Sequence, residues 1–323
     1  MSQISTLHAQ TRAFARDNAF ISWWHILSSF ALLVLAVAGT LPWAPLWVRL
    51  PASVLSALLL VRLFVIFHDQ QHGAILPDSR WAEIFMRGFG MCTLCPSTVW
   101  RGTHNDHHAH NCQLRMKNIG SFPIMTRAHF QSAPPSERLL YLVMRHPLTL
   151  LLGYLTVFFY SMTLLPALTS PRQNWDAAPA TIIHLGLAAL LVACYGWGAF
   201  LLTMALPFFI AGALGAYLFY AQHNFPGVIL RDEAGWTFEG AALDSSSHMK
   251  TGPILAWFTG NIGYHHIHHL NHRVPFYRLP EVYRAIPELR HAKTTTLHPG
   301  DIARCLRLKV WCVERQAMVA LKS

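Results

Sequence analysis

Histidine is the residue whose number and spacing stand out in this chain of 323 residues. The sequence holds 20 histidines, more than its 15 aspartates and glutamates together. Several of them form short groups with helical spacing, which places the imidazoles of one group on one face of a helix. Neutral imidazole is a common metal ligand, so these groups indicate metal binding.

Three groups and one further histidine make up the candidate ligands. The first group has i, i+4 spacing, and the other two have i, i+3, i+4 spacing. The further histidine follows a long apolar stretch. The nine predicted ligands are His68 and His72, then His104, His107 and His108, then His223, and finally His265, His268 and His269. His110, His266 and His272 are surplus to these patterns, and we expect them not to be ligands.

Nine imidazoles are too many for one metal ion. Common metal ions take roughly four to six ligands, so this number suits two ions. Imidazole binds zinc, copper, iron and nickel alike, and the ligand type alone leaves the metal open. A structural zinc site closes at four ligands, usually with cysteine, and none of the groups contains cysteine. Two ions with open positions beside lipid suit dioxygen activation.

Two carboxylates lie inside the histidine groups, one position away from the ligand face. They are Asp69, which follows His68, and Asp106, which precedes His107. Outer carboxylates of this kind accept the second ring N–H of a ligand histidine and set its tautomer. We therefore expect Asp69 and Asp106 to support the ligands without binding metal.

The elements that must position these residues are apolar. Hydrophobic residues make up 53% of the chain and charged residues only 12%, about half of the roughly 25% usual in soluble domains. Four stretches are apolar enough for lipid: 21–41, 48–67 and 148–168 each have the ~20 residues that cross a bilayer, and 181–222 is long enough to cross twice. The last lies in a segment without Asp, Glu, Lys or Arg between Asp176 and Arg231.

These stretches predict an all-α integral membrane protein with about four transmembrane helices in two hairpins and a cytoplasmic cap that carries the histidines. We expect a single domain over 1–323. Its parts are a cytoplasmic segment (1–20), a first hairpin (21–67), a lobe with the first two groups (68–147), an interfacial or re-entrant stretch (148–168), a second hairpin (181–222) and a lobe with the third group (223–323). The net charge of +10 fits basic cytoplasmic loops, and we expect no nucleic-acid partner.

At this point the sequence resembles the membrane fatty acid desaturase family, from His68 to about Glu281. The three histidine groups match the family's three boxes, and His223 matches its additional histidine. The run from Trp257 to Leu270, followed by Val274 to Pro280, is similar to the bacterial and cyanobacterial acyl-lipid branch. The chain departs from its relatives at Gln70-Gln71 in the first box, which bears on the substrate more than on the metal site.

The resemblance implies two iron ions that use dioxygen and two electrons to remove two hydrogens from an acyl chain. It implies no catalytic side chain beyond the metal ligands. The acyl substrate is carried by a lipid, coenzyme A or acyl carrier protein, and the electrons come from a ferredoxin-type or other external carrier. We expect a multi-pass protein of the bacterial inner membrane whose active site is cytoplasmic.

Two alternatives stay open on the sequence. The same scaffold serves lipid or carotenoid hydroxylases, ketolases and acetylenases, which the histidine pattern does not separate from desaturases. A membrane metal transporter or sensor is an alternative of another class. Transport usually needs polar groups within the spans, and Thr181 to Gln222 offers only His184, which argues against it.

Overall fold

The computed structural model describes residues 3–114 and 120–321, which are mostly helical and begin with an apolar hairpin. A short helix, α1 (Gln3–Thr11), precedes two long helices, α2 (Ala19–Thr40) and α3 (Leu46–Gln71). Asn18 caps α2 by accepting hydrogen bonds from the backbone N–H groups of Phe20 and Ile21. The two helices pack along each other, and both are long and apolar enough to cross a membrane.

Helix α3 is longer than the hydrocarbon layer is thick. Its 26 residues span about 39 Å at 1.5 Å per residue. The hydrocarbon core of a bilayer measures about 30 Å. The last turn of α3, which carries His68, can therefore emerge from the apolar layer while the rest of the helix stays in it.

Five short helices form the first polar lobe. They are α4 (Arg80–Cys92), α5 (Ser97–Ala109), α6 (Arg127–Ser132), α7 (Pro135–Met144) and α8 (Pro147–Leu151). Ser79 caps α4 through the N–H of Ala82, and the buried face of α4 places Met86 and Phe89 in the core beside Phe67 of α3. This packing holds the lobe against the end of the first hairpin. Residues 115–119 of the predicted lobe lie outside the described residues.

The stretch predicted to be interfacial or re-entrant is helical. After α8 the chain forms a π-helical segment (Tyr154–Leu164) and then α9 (Leu165–Thr169). Together they make one apolar helix, Tyr154–Thr169, which is shorter than the ~20 residues needed for a span. The expectation that this stretch does not cross the bilayer stays a prediction.

The second long apolar region is a helix that is broken once. It consists of α10 (Ala177–Phe200), a π-helical segment (Leu201–Ala205) and α11 (Leu206–Ala221). Its 45 residues would extend about 68 Å if straight, more than twice the hydrocarbon thickness. Within α10, Gly196 has φ +78° and ψ 175°, a conformation that glycine adopts without steric cost. The sequence predicts a reversal at this glycine.

Contacts at both ends of this region show that the chain does reverse there. At the start of α10, a carboxylate oxygen of Asp176 accepts a hydrogen bond of 3.1 Å from the backbone N–H of Thr98 in α5. Beyond the end of α11, the His223 ring lies 4.7 Å from the ring of His107, also in α5. Both ends of the 45 residues therefore meet the same helix, as in a hairpin.

The tips of the two hairpins meet at the other end of the molecule. The hydroxyl groups of Thr40, at the end of α2, and Thr203 lie 2.7 Å apart. The Trp43 and Tyr195 rings meet edge to face with centroids 6.1 Å apart. The paired hairpins thus form one bundle, with the histidines at the opposite end.

The second polar lobe follows α11. It contains α12 (Phe238–Asp244), β1 (His248–Lys250), α13 (Gly252–Phe258), α14 (His265–Leu270), α15 (Leu279–Ala285), β2 (Thr294–Thr296), α16 (Pro299–Arg307), β3 (Val310–Cys312) and β4 (Ala317–Val319), with 3₁₀ turns at Phe276–Arg278 and Pro287–His291. Strand β1 pairs in parallel with β2, and β3 forms an antiparallel hairpin with β4. The prediction of a helical membrane protein with a histidine-bearing cap is confirmed.

Close packing joins the short apolar helix Tyr154–Thr169 to α11. A side chain at Gly212 would place its Cβ 2.5 Å from the backbone nitrogen of Tyr154, which is closer than any real Cβ contact. The two backbones approach this closely because glycine has no Cβ. Helix α11 is thereby fixed next to α3 and the apolar helix, and His223 at its end is fixed with it.

Candidate metal centre

Three helix segments and one residue beyond a helix carry the nine predicted ligands. The end of α3 supplies His68 and His72, α5 supplies His104, His107 and His108, and α14 supplies His265, His268 and His269. His223 lies two residues after the end of α11. All nine side chains are buried, and His72 is the most exposed at 8%. Burial of so many polar rings requires partners, because an unpaired buried polar group is costly.

The structure brings the nine histidines together in two clusters. The five-histidine cluster contains His68, His72, His104, His108 and His268. The four-histidine cluster contains His107, His223, His265 and His269. Within each cluster, one ligand atom from every residue lies within 4.8 Å of the others. Both clusters can hold a metal ion.

The imidazole nitrogens approach one another closely. In the five-histidine cluster, the Nε2 atom of His104 lies 2.9 Å from that of His68 and 3.1 Å from that of His108. In the four-histidine cluster, the Nε2 atom of His265 lies 2.9 Å from that of His223 and 3.1 Å from that of His269.

These separations are the ones that ligation of one ion produces. Two nitrogens at about 2.0–2.1 Å from an ion and at right angles to each other lie roughly 3.0 Å apart. Two nitrogens of the five-histidine cluster, those of His104 and His108, have two such neighbours each, and so does that of His265 in the four-histidine cluster. The residues therefore fit a metal ion at each cluster.

Burial keeps eight of the nine imidazoles neutral. It holds the pKa of His72, His104, His107, His108, His265, His268 and His269 well below the usual 6.5, because the buried site disfavours the charged form. It lowers the pKa of His223 to about 4. A neutral ring with a free lone pair is the form that binds metal, and these histidines have that form at neutral pH.

The two predicted supporting carboxylates occupy different environments. Asp69 is buried, and its Oδ1 lies 3.0 Å from Nδ1 of His68, while its Oδ2 accepts a 2.6 Å hydrogen bond from the backbone N–H of Phe276. This is the arrangement that orients a ligand ring. The Asp106 carboxylate instead lies 3.2 Å from Nδ1 of His110, which belongs to neither cluster.

Sequence reasoning missed three partners of the ligands. The Nδ1 of His223 lies 3.1 Å from the backbone carbonyl oxygen of Ser245, to which it can donate. The Trp100 ring stacks on His104 with centroids 4.5 Å apart, and the Phe219 ring lies 5.1 Å from the ring of His107. Trp100 and Phe219 each precede a ligand by four residues, a spacing that could have identified both. A backbone carbonyl leaves no such pattern.

The surplus histidines lie outside both clusters. His266 points away from them, and its Nε2 donates a 3.0 Å hydrogen bond to the carbonyl oxygen of Leu289. The His272 ring is nearer, with its centroid 4.8 Å from that of His72. His110 faces Asp106. That these three are not ligands stays a prediction, which their positions favour.

An apolar cavity lies among the apolar helices. It is lined by Leu60, Val61, Phe64, Phe89, Thr93, Tyr154, Phe158, Phe208, Ala211, Gly212 and Gly215. Phe64 lies one turn before His68 on α3, and its ring contacts Trp100, which stacks on His104. On α11, Gly215 lies two turns before His223. The same helix faces that line the cavity therefore lead to the ligands.

A second cavity borders the four-histidine cluster. His107 and His223 line it together with Phe219 and Arg145. The four-histidine cluster therefore has cavity space next to it.

Comparisons with known proteins agree with this geometry. The family model described as "Fatty acid desaturase" matches residues 45–299, a range that includes all nine histidines. The chain is 28% identical over 330 residues to a Bacillus subtilis (strain 168) protein named "Fatty acid desaturase", covering 98% of this chain and 90% of the relative. It is 23% identical over 234 residues to the "sn-1 acyl-lipid omega-3 desaturase (ferredoxin)" of Nostoc sp. (strain 36), covering 69% of this chain and 63% of that protein.

Proposed function

The chain belongs to the fatty acid desaturase family, and we propose that it introduces a double bond into the acyl chains of membrane lipids at a pair of iron ions. Members of this family are oxidoreductases. One observation carries the proposal: nine buried imidazoles converge in two adjacent clusters at the end of an apolar helical bundle.

The ligands of the proposed pair are the nine histidines. His68, His72, His104, His108 and His268 would hold one ion, and His107, His223, His265 and His269 the other. Imidazole alone accepts zinc, copper, iron or nickel, and membership of the family favours iron. Bound iron would supply the coupling of dioxygen reduction to the removal of hydrogen from an unactivated carbon.

The reaction needs reducing equivalents from outside the chain. Two hydrogens leave the acyl chain as its C–C single bond becomes a double bond. Together with two electrons from a carrier and two protons, they reduce one dioxygen to two waters. We propose a ferredoxin-type carrier, because the name of the Nostoc relative includes ferredoxin.

The protein's own side chains bind and orient the substrate. The apolar cavity would take the acyl tail, because its lining is almost entirely hydrocarbon and aromatic. Trp100 and Phe219 pack on ligand histidines and would limit where the chain passes the metals. The proposal assigns no acid or base role to the side chains around the substrate.

The membrane itself supports a lipid-borne substrate. Three helices of the described residues are long and apolar enough to span, and the cavity lies among two of them, α3 and α11. An acyl chain of a bilayer lipid can enter such a cavity without leaving an apolar medium. Basic residues of the two polar lobes favour a cytoplasmic position for the histidine end in the inner membrane of a bacterium, under the positive-inside rule. We propose that the chain forms a single domain over 1–323, with the segments predicted from the sequence.

Expression in a host whose lipids are well characterised tests the proposal. We expect mass spectrometry to locate a new double bond in extracted acyl lipids when the wild-type chain is expressed, and none with His269→Ala at matched expression. A double bond that persists in His269→Ala would refute the proposed centre. A product that gains oxygen would assign the chain to the hydroxylases instead.

The cavity can be tested separately. Ala211 lines it from α11, and Ala211→Leu would fill part of the space without touching a histidine. We expect this variant to shift its products toward shorter acyl chains while it retains both metal ions. Products of unchanged length would show that the acyl tail lies elsewhere.

A further inference from the structure

Four rings pack together on the side of α14 that faces away from the metal clusters. This ring cluster consists of His248, Tyr264, His266 and Tyr283. The His248 ring stacks on Tyr264 with centroids 4.5 Å apart, and the Tyr264 and Tyr283 centroids are 5.1 Å apart. His248 lies 4.8 Å from Tyr283 and 5.7 Å from His266. The function proposed above uses none of the four.

The ring cluster is bonded directly to the metal centre. Tyr264 and His266 are the two chain neighbours of His265. The Nε2 of His265 is the one that lies within 2.9 Å of His223 and 3.1 Å of His269. A path of packed rings and covalent bonds therefore runs from Tyr283 through Tyr264 to a ligand of the four-histidine cluster.

Four exposed cations form what we name the basic surface: Lys250, Arg284, Arg290 and Lys293. Each of these cations is connected to a residue of the ring cluster through the backbone or a hydrogen bond. Lys250 ends the strand that His248 begins, and Arg284 follows Tyr283. Arg290 donates hydrogen bonds to the carbonyl oxygens of Tyr283 and Arg284, and the carbonyl of Lys293 accepts a 2.8 Å hydrogen bond from His248 N–H.

The charges of the basic surface are not neutralised within the described residues. None of its four cations forms an ion pair with a carboxylate of residues 3–114 or 120–321. Two exposed acids lie between Arg278 and Lys293 in the chain. Glu281 pairs with Arg278 at 2.9 Å, and Glu288 is the other. Like charges held together repel, and such a patch attracts a partner of the opposite charge.

We propose that the basic surface is the docking site of the electron carrier, an acidic ferredoxin-type iron–sulfur protein, and that the ring cluster leads its electrons to the four-histidine cluster. This inference rests on the proposed function. In each encounter the carrier is oxidised by one electron and the metal centre is reduced by one. Two encounters supply the two electrons of one turnover. The surface combines charge complementarity with a bonded path to a ligand.

Charge reversal tests the docking site. The variant Lys250→Glu/Arg284→Glu/Lys293→Glu spares Arg290, whose side chain bonds to backbone carbonyls. The matched control, Arg80→Glu/Arg172→Glu/Arg315→Glu, changes the same number of exposed cations in α4, ahead of α10 and between β3 and β4. Iron-loaded full-length protein in nanodiscs is supplied with electrons by reduced ferredoxin or by dithionite.

We expect the KM for ferredoxin to rise about 10-fold or more in the surface variant and to lose most of its salt dependence, as electrostatic steering predicts. Turnover with dithionite should match wild type, and the control variant should match wild type with both reductants. An unchanged KM for ferredoxin would overturn the proposal. An equal loss of turnover with ferredoxin and with dithionite, seen also in the milder Arg284→Gln/Lys293→Gln variant, would also overturn it. Such a loss would show that these residues are needed for folding.

Two further measurements separate the possible failures. The first is the binding of ferredoxin to wild type and to the surface variant without substrate, which reports docking independently of turnover. If no double bond forms with either reductant, the proposed function has failed, and this binding measurement still tests the docking site. Nanodiscs with and without phosphatidylglycerol report lipid contact. Suppose that wild type needs phosphatidylglycerol for activity, and that the surface variant does not need it and binds ferredoxin as tightly as wild type. The surface would then bind lipid head groups, and the proposal would be wrong.

The ring cluster is tested by a pair of variants at its outer end. Tyr283→Leu removes a ring from the path, while Tyr283→Phe keeps it. We expect Tyr283→Leu to slow reduction of the metal centre by bound ferredoxin without changing the KM for ferredoxin, and Tyr283→Phe to restore the rate. Equal rates in wild type and Tyr283→Leu would exclude this path.

Discussion

The two histidine clusters are built from the same helices but are not equivalent. Helices α5 and α14 each supply ligands to both clusters, so they bridge the centre. Helix α3 serves the five-histidine cluster alone, and His223 serves the four-histidine cluster alone. The first cluster is thus fixed by a long apolar helix and by Asp69, whereas the second is completed by a residue beyond a helix end that bonds to the carbonyl of Ser245.

This difference matters because of the number of ligands. Four ligands close a tetrahedral metal site, and the five-histidine cluster has one more than that number. The five-histidine cluster should tolerate the loss of one imidazole and still hold its ion. The four-histidine cluster has none to lose. Four variants, given in order of decreasing expected effect, test whether the two clusters differ in this way.

The largest effect should come from His223→Ala. With three imidazoles left, the four-histidine cluster should lose its ion, and the iron content should fall from two per chain to one. Desaturation should fall by more than the roughly 100-fold that marks the upper limit for outer-shell changes at metal sites. Metal analysis of purified protein and lipid profiling measure both. Retention of two irons would show that another group completes this cluster.

His72→Ala removes one imidazole from the larger cluster and should act differently. Four ligands remain, so we expect two irons per chain, with desaturation reduced by about 100-fold because the geometry of the ion is changed. The same metal analysis, made on both variants in parallel, decides the matter. If His72→Ala lost an ion as readily as His223→Ala, the clusters would be equivalent and the comparison would fail.

Asp69→Asn should have a smaller effect on the same cluster. The amide keeps the shape of the side chain but loses the negative charge that holds the ring N–H of His68, so iron affinity should fall about 10-fold. Asp106→Asn is the matched control on α5, where the carboxylate lies beside His110, and it should bind iron as wild type does. Competition with a chelator measures both affinities. Similar losses in the two variants would contradict the assignment of Asp69.

The smallest effect is expected for His272→Ala. Its ring lies next to the five-histidine cluster but belongs to neither cluster, so removing it should change iron affinity by no more than about 0.5 kcal/mol, close to twofold. The chelator competition used for Asp69→Asn applies here. Loss of an ion would make His272 a sixth ligand and would widen the difference between the clusters.

Much of this architecture was predictable from local sequence. Long runs without charge predict the apolar helices, and Gly196 predicts the reversal in the second hairpin, because these features depend on composition and on one residue's backbone freedom. Helical spacing of histidines identifies eight members of the two clusters, and the position of His223 after a long apolar stretch identifies the ninth. Asp69 beside His68 follows from adjacency in the chain.

What only the tertiary structure decided is how the nine histidines are divided. Spacing shows that His104, His107 and His108 share one face of α5, but two of them join one cluster and the third joins the other. The same holds for α14, where His268 separates from His265 and His269. A helix face about 100° wide can look onto two ions at once, and only the positions of α3 and His223 around it determine which ring meets which ion. Spacing along the chain is a local property, whereas that division depends on how distant helices pack.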